Sequence, residues 1–130
     1  MVLADDEPGI IAASVRMLEP EFDVVKAVGD GKQLLDEAPG LKPDLVVLDI
    51  SMPVLNGIET ARQLRSLGCQ AKIIILTVHP DPEYVQAAFA AGASGYVIKS
   101  RLVSDLPLAL REVLAGRSFV SPTDSRDQAD

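Results

Sequence analysis

Leu45-Val46-Val47-Leu48 and Ile73-Ile74-Ile75-Leu76 are apolar at every position. A strand built from such a run has to be buried on both faces, which requires a sheet covered by helices on either side. Further apolar runs, Val2-Leu3-Ala4 and Tyr96-Val97-Ile98, have the same character. Between them lie segments with helical period, and this alternation argues for βαβ units and a parallel sheet. Strands are predicted near residues 1–5, 22–28, 44–49, 72–77 and 95–98.

Five helices are predicted between and after these strands. Ile11, Val15 and Leu18 form one apolar stripe, with Pro8 suited to the first turn and Pro20 beyond the end. Leu34 and Leu35 mark a second helix with Asp30 as N-cap, and Ile58, Ala61, Leu64 and Leu67 a third that Gly68 stops. The fourth runs from about Pro82 to Ala91, anchored by Val85 and Phe89. The fifth is expected to start at Ser104 as N-cap, to face inward through Leu106, Leu110, Val113 and Leu114, and to end at Gly116. The predicted domain is therefore residues 1–116. Residues 117–130 are rich in Ser, Pro, Asp, Arg and Gln, and read as a linker or disordered tail.

Short right-handed connections leave few topologies for five parallel strands. The order 2-1-3-4-5 of a doubly wound, flavodoxin-like α/β sheet is the expected one. In such sheets ligands bind beyond the carboxyl ends of the strands where the winding reverses, here between strands 1 and 3. Asp5 and Asp6 follow strand 1 and Asp49 follows strand 3. Thr77 closes strand 4 and Lys99 follows strand 5.

Converging carboxylates cannot all ionise cheaply unless a cation neutralises them. Oxygen-only ligands suit Mg²⁺. Acidic residues at Asp5-Asp6-Glu7 would also complement a helix N-terminus, so the triplet alone is ambiguous. A carboxylate can serve as nucleophile toward phosphorus, while a threonine hydroxyl and a lysine ammonium suit phosphate oxygens. The net charge of −7 and the lack of a basic cluster argue against nucleic-acid binding by this segment. No apolar stretch is long enough to span a membrane. Cys69 is the single cysteine, which fits a cytoplasmic location.

Together, Val2-Leu3-Ala4-Asp5-Asp6-Glu7, Pro43 to Pro53 around Asp49, Asn56-Gly57, Ile75-Leu76-Thr77 and Gly92 to Lys99 resemble the receiver domain of bacterial two-component response regulators. The resemblance covers about residues 1–116. It implies that Asp49 accepts a phosphoryl group from a sensor histidine kinase. It implies that Asp6 ligates Mg²⁺ with Asp5 nearby, and that Asp49 and the backbone carbonyl of Ser51 complete the protein ligands. Thr77 and Lys99 would bind phosphoryl oxygens and Tyr96 would be the switch aromatic. The face made by helix 4, strand 5 and helix 5 would carry the change onward.

Lys99-Ser100, where many receivers have Lys-Pro, is similar to receivers joined to a LuxR-type helix-turn-helix domain. So is the stretch Phe119-Val120-Ser121-Pro122. The expectation is a receiver half of a longer transcriptional regulator, with its C-terminal DNA-binding domain outside this chain and a homodimer left open. Such a switch catalyses only its own phosphorylation and dephosphorylation and is not a metabolic enzyme. An aspartate-nucleophile phosphohydrolase is the contrasting reading, but that pattern places a second Asp where Ser51 stands. A phosphorylation-independent interaction module on the same fold is the third.

Overall fold

The computed structural model describes residues 1–52 and 55–122. Pro53, the last residue of the motif around Asp49, and the tail beyond residue 122 lie outside the described residues. The elements are β1 (Val2–Ala4), α1 (Pro8–Leu18), β2 (Lys26–Val28), α2 (Gly31–Leu41), β3 (Leu45–Leu48), α3 (Gly57–Ser66), β4 (Lys72–Thr77), α4 (Pro82–Ala90), β5 (Gly95–Ile98), a 3₁₀ turn (Lys99–Arg101), α5 (Leu102–Leu114) and β6 (Phe119–Val120). All strand pairs are parallel, and the order is β2-β1-β3-β4-β5-β6.

The doubly wound sheet follows from its fully apolar strands. Val46, Leu48, Ile73 and Ile75 point to one face, where Leu34, Ala61, Leu64 and Ala88 from α2, α3 and α4 cover them. Val47, Ile74 and Leu76 point to the other, against Leu18 of α1 and Leu106, Leu110 and Val113 of α5. Each fully buried aliphatic side chain contributes about 1.5–3 kcal/mol. The strands at the centre of the sheet therefore form its most strongly held part, and the site is built on their ends.

The sheet has six strands where the sequence predicted five. The sixth comes from Phe119–Val120, in the segment expected to be linker. Two residues are too few to display a period, so the strand is set by tertiary pairing with β5. β2 is also shorter than its predicted span, covering only Lys26–Val28. α5 starts at Leu102 with Arg101 in the cap position, not at Ser104. The Ser104 hydroxyl instead lies 3.0 Å from the Asp105 carboxylate, which takes its one proton, and 3.3 Å from Arg101 O. Leu67 and Leu114, assigned to apolar stripes, lie beyond the packed faces and are 62% and 49% exposed.

An Asn-Gly pair such as Asn56-Gly57 suits a turn needing positive φ. It does something else. Asn56 caps α3, its Oδ1 accepting from Glu59 N at 2.8 Å, and Gly57 is the first helical residue. A Cβ on Gly57 would stand 2.1 Å from the Asp49 carbonyl oxygen, so glycine is needed there for close approach. Gly68 does fulfil the conformational role, ending α3 at φ +85°.

Candidate phosphoacceptor and cation site

Parallel register brings the ends of β1, β3 and β5 to one rim. The Asp49 amide donates to Ala4 O at 2.9 Å, and the Asp5 amide to Val28 O at 3.1 Å, so both residues still follow the sheet. Their side chains are 3% and 4% exposed. Asp6, the next residue, is exposed. One carboxylate oxygen from each of Asp5, Asp6 and Asp49 lies within 4.8 Å of the others.

The backbone orients these carboxylates. Asp5 Oδ1 accepts from Glu7 N at 2.9 Å, and Asp49 Oδ1 accepts from Ser51 N at 3.2 Å. In each case a carboxylate bonds the amide two residues on, an Asx turn that aims the second oxygen inward. Asp5 Oδ2 is fully buried and makes no aligned hydrogen bond.

Lys99 fills the centre. Its Nζ stands 2.7 Å from Glu7 Oε1, 3.0 Å from Asp5 Oδ2 and 3.3 Å from Asp49 Oδ2, and the side chain is only 9% exposed. Burial opposes its charge, but the carboxylates of Glu7, Asp5 and Asp49 outweigh that effect and hold its pKa above the ordinary lysine value. Burial raises the Asp5 pKa, and Asp49 adds to this; the Glu7 amide and Lys99 only partly offset it. Lys99 is shared among the carboxylates of Asp5, Glu7 and Asp49, with Asp6 beside them.

This arrangement fits a hard divalent cation. The donors are all oxygens, one from each of three carboxylates lies within 4.8 Å of the others, and Asp6 keeps an open side toward solvent, as suits an ion that retains several waters.

Thr77 is fully buried at the end of β4, and its Oγ1 accepts from His79 N at 3.2 Å. Tyr96, on β5, is also fully buried, and its hydroxyl donates to His79 O at 2.7 Å. Burial, with Asp81 and Tyr84 nearby, raises the phenol pKa. His79 lies in the loop after β4. Its backbone joins Thr77 to Tyr96, its ring stacks on Tyr84 at 4.5 Å, and its Nε2 lies 3.2 Å from Ser51 Oγ. The Lys99–Ser100 peptide bond is trans.

The structure therefore brings Asp5, Asp6, Asp49 and Lys99 together and links Thr77 to Tyr96 through one loop. Glu7 is the residue that sequence reasoning missed. It was assigned to the α1 dipole, whereas its carboxylate faces Lys99, 92 positions away. Only the strand order could have suggested that contact.

The family model for the response regulator receiver domain matches residues 1–111. The chain is 35% identical over 124 residues to a protein named as the uncharacterized transcriptional regulatory protein YvfU of Bacillus subtilis (strain 168), covering 94% of this chain and 62% of that protein. Its fold is similar to a crystal structure of a LuxR-family two-component response regulator from Aurantimonas sp. SI85-9A1. There the TM-score is 0.90 at 35% identity, covering 98% of this chain and 93% of that one. It is also similar to the isolated REC domain of RcsB from Salmonella enterica serovar Typhimurium, solved with the phosphomimetic BeF3-. That comparison gives a TM-score of 0.87 at 28% identity, covering 96% and 94% of the two chains.

The chain belongs to the response regulator receiver domain family, and its relatives are LuxR/NarL-type response regulators. Such domains are signalling and transcription-control modules rather than metabolic enzymes. The chain spans between about half and three-fifths of the length of the curated relatives it matches. Among the described residues no helix is long and apolar enough to cross a membrane.

Proposed function

We propose that this chain is a phosphorylation-controlled switch in which Asp49 accepts a phosphoryl group from a phosphohistidine on a partner sensor kinase. The carrying observation is the placement of Asp49: a carboxylate 3% exposed at the reversal point of the sheet, 3.3 Å from Lys99 Nζ and grouped with Asp5 and Asp6.

In this reading an Asp49 oxygen forms the new bond to phosphorus as the bond from phosphorus to the histidine nitrogen breaks, and the imidazole leaves. Lys99 Nζ offsets the charge on the phosphoryl oxygens. The Thr77 hydroxyl, which accepts from His79 N, still has its own proton to donate to one of them. Asp5, Asp6, Asp49 and the Ser51 carbonyl would hold Mg²⁺, which supplies charge neutralisation to the carboxylates and the phosphoryl oxygens. The same groups allow hydrolysis of the acyl phosphate, so the switch resets itself.

Phosphorylation adds about −1.5 to −2 charges at the rim. Drawing Thr77 toward them shifts the loop at His79, and that loop holds the Tyr96 hydroxyl. The α4-β5-α5 face would then change and pass the signal to an output region, read as a DNA-binding domain of a cytoplasmic transcription regulator. Homology to proteins of that kind supports this reading.

Intact-protein mass after incubation with acetyl phosphate tests the proposal. A gain of one phosphoryl group that requires Mg²⁺, is lost with chelator and is lost in Asp49→Asn is the expected result. No gain in the folded wild type would overturn it in favour of a phosphorylation-independent binding module.

A further inference from the structure

Residues 119–121 lie beyond the span that the family match covers, yet they are tied to the turn that carries Lys99. β6 runs along the free edge of β5: Phe119 N donates to Ser94 O at 3.1 Å and Ser121 N to Tyr96 O at 2.8 Å. At the next position the backbone ladder gives way to a side chain. Ile98 N donates to Ser121 Oγ at 3.1 Å, and Ser121 Oγ donates to Asp105 Oδ2 at 2.7 Å.

Ser121 is 2% exposed and Asp105 4% exposed. Asp105 Oδ2 also accepts from Arg101 Nε at 2.7 Å, and Oδ1 accepts from Ser104 Oγ at 3.0 Å and Arg101 Nη2 at 3.5 Å. Burial disfavours the Asp105 charge, but bonds from Arg101, Ser121 and Ser104 outweigh it and hold the carboxyl below its ordinary pKa.

The polarity of this network is determined. A serine hydroxyl has one proton, and the charged Asp105 has only lone pairs, so the proton goes to Asp105 and the Ile98 amide meets a lone pair. Lys99 lies between two of the tethered points, one residue after Ile98 and two before Arg101. A long lysine side chain holds Asp5 and Asp49 only if its backbone anchor is fixed.

We propose that Ser121 is a positioning residue for Lys99: its bridge from the Ile98 amide to Asp105 fixes the turn from which Lys99 reaches Asp49. This rests on the reading of Asp49 and Lys99 as the phosphoryl site. The consequence is direct. The position of β6 and phosphoryl occupancy at Asp49 are then coupled, each biasing the other by the same factor.

The test uses the 130-residue chain with acetyl phosphate as donor and intact mass as readout. Ser121→Ala is expected to slow phosphoryl uptake on the order of tenfold, the cost of misplacing a group from outside the site. Mg²⁺ affinity by calorimetry should not fall, because the proposed ligands are kept and a displaced Lys99 competes less for Asp5 and Asp49. Exchange of the Ile98 amide should speed up.

The decisive arm repeats Ser121→Ala in a Lys99→Ala background, where no further slowing is expected. Equal slowing in both backgrounds, or no slowing in either, overturns the proposal. Should Ser121→Ala fail to fold, Asp105→Asn, which keeps the shape but removes the charge, carries the same comparison with the same outcomes. Failure of the wild type to take up a phosphoryl group would overturn the phosphoacceptor reading and this inference with it. Uptake that is normal in both variants overturns this inference alone.

Discussion

Replacing Lys99 by methionine removes the one cation from a cluster of buried carboxylates while keeping most of the side-chain volume. In the wild type Nζ is 3.0 Å from Asp5 and 3.3 Å from Asp49. Two unit charges 4.8 Å apart, the outer separation within the Asp5-Asp6-Asp49 group, repel by about 3.5 kcal/mol at an effective dielectric near 20. Without Lys99 that repulsion acts between two groups that have almost no water to screen them. Removing one partner of a buried ion pair costs about 3–5 kcal/mol, and the same loss is expected for Lys99→Met in chelator. Asp49→Asn in the Lys99→Met background removes one of the repelling charges and should recover about 1–3 kcal/mol of it. Mg²⁺ should also narrow the gap between Lys99→Met and wild type, because it binds the folded state and supplies the missing charge. Urea unfolding, with and without Mg²⁺, measures all of these. A Lys99→Met protein as stable as wild type in chelator, or one that Asp49→Asn does not rescue, would refute the claim that charge shortage governs this rim.

Gly57→Ala places a methyl group 2.1 Å from the Asp49 carbonyl oxygen, against backbone that cannot yield. A loss of about 1–3 kcal/mol and slower phosphoryl uptake are expected, measured by urea unfolding and intact mass. Asp105 has a folded pKa below its ordinary 3.8, so the stability it contributes is present above 3.8 and lost as pH falls from there through the folded value. An acid titration of unfolding free energy should show that loss in the wild type and a flatter curve over the same range in Asp105→Asn. Tyr96→Phe removes the hydroxyl bonded to His79 O and leaves that carbonyl without this partner. It should cost about 1–2 kcal/mol by urea unfolding.

The fold was legible where burial is two-sided. β3 and β4 announce themselves because Leu45–Leu48 and Ile73–Leu76 are apolar throughout, and β1 and β5 are of the same character. β2 and β6 lie at the sheet edges, and the exposed Lys26 and Val120 show why neither could be delimited from pattern alone. The site was legible for a related reason. Asp49 and Lys99 stand directly after buried strands, where a charge calls for partners, and parallel topology brings such ends together. Glu7 and Asp105 were not legible, since an acidic residue at a helix N-terminus is ordinary by composition. Their partners, Lys99 and Ser121, lie in elements that only the folded chain places beside them. Asn56-Gly57 gives a further lesson: the dipeptide suits a turn, but packing against Asp49 explains the glycine and capping of α3 explains the asparagine.

The measurement that bears most directly on the account is localisation of the phosphoryl group. Wild-type protein treated with acetyl phosphate and Mg²⁺ would be trapped with borohydride, which reduces the acyl phosphate to homoserine, then digested and sequenced by tandem mass spectrometry. A single converted residue, Asp49, is expected, with none at Asp5, Asp6 or Asp44. Conversion at another carboxylate, or no conversion in folded protein, would contradict it.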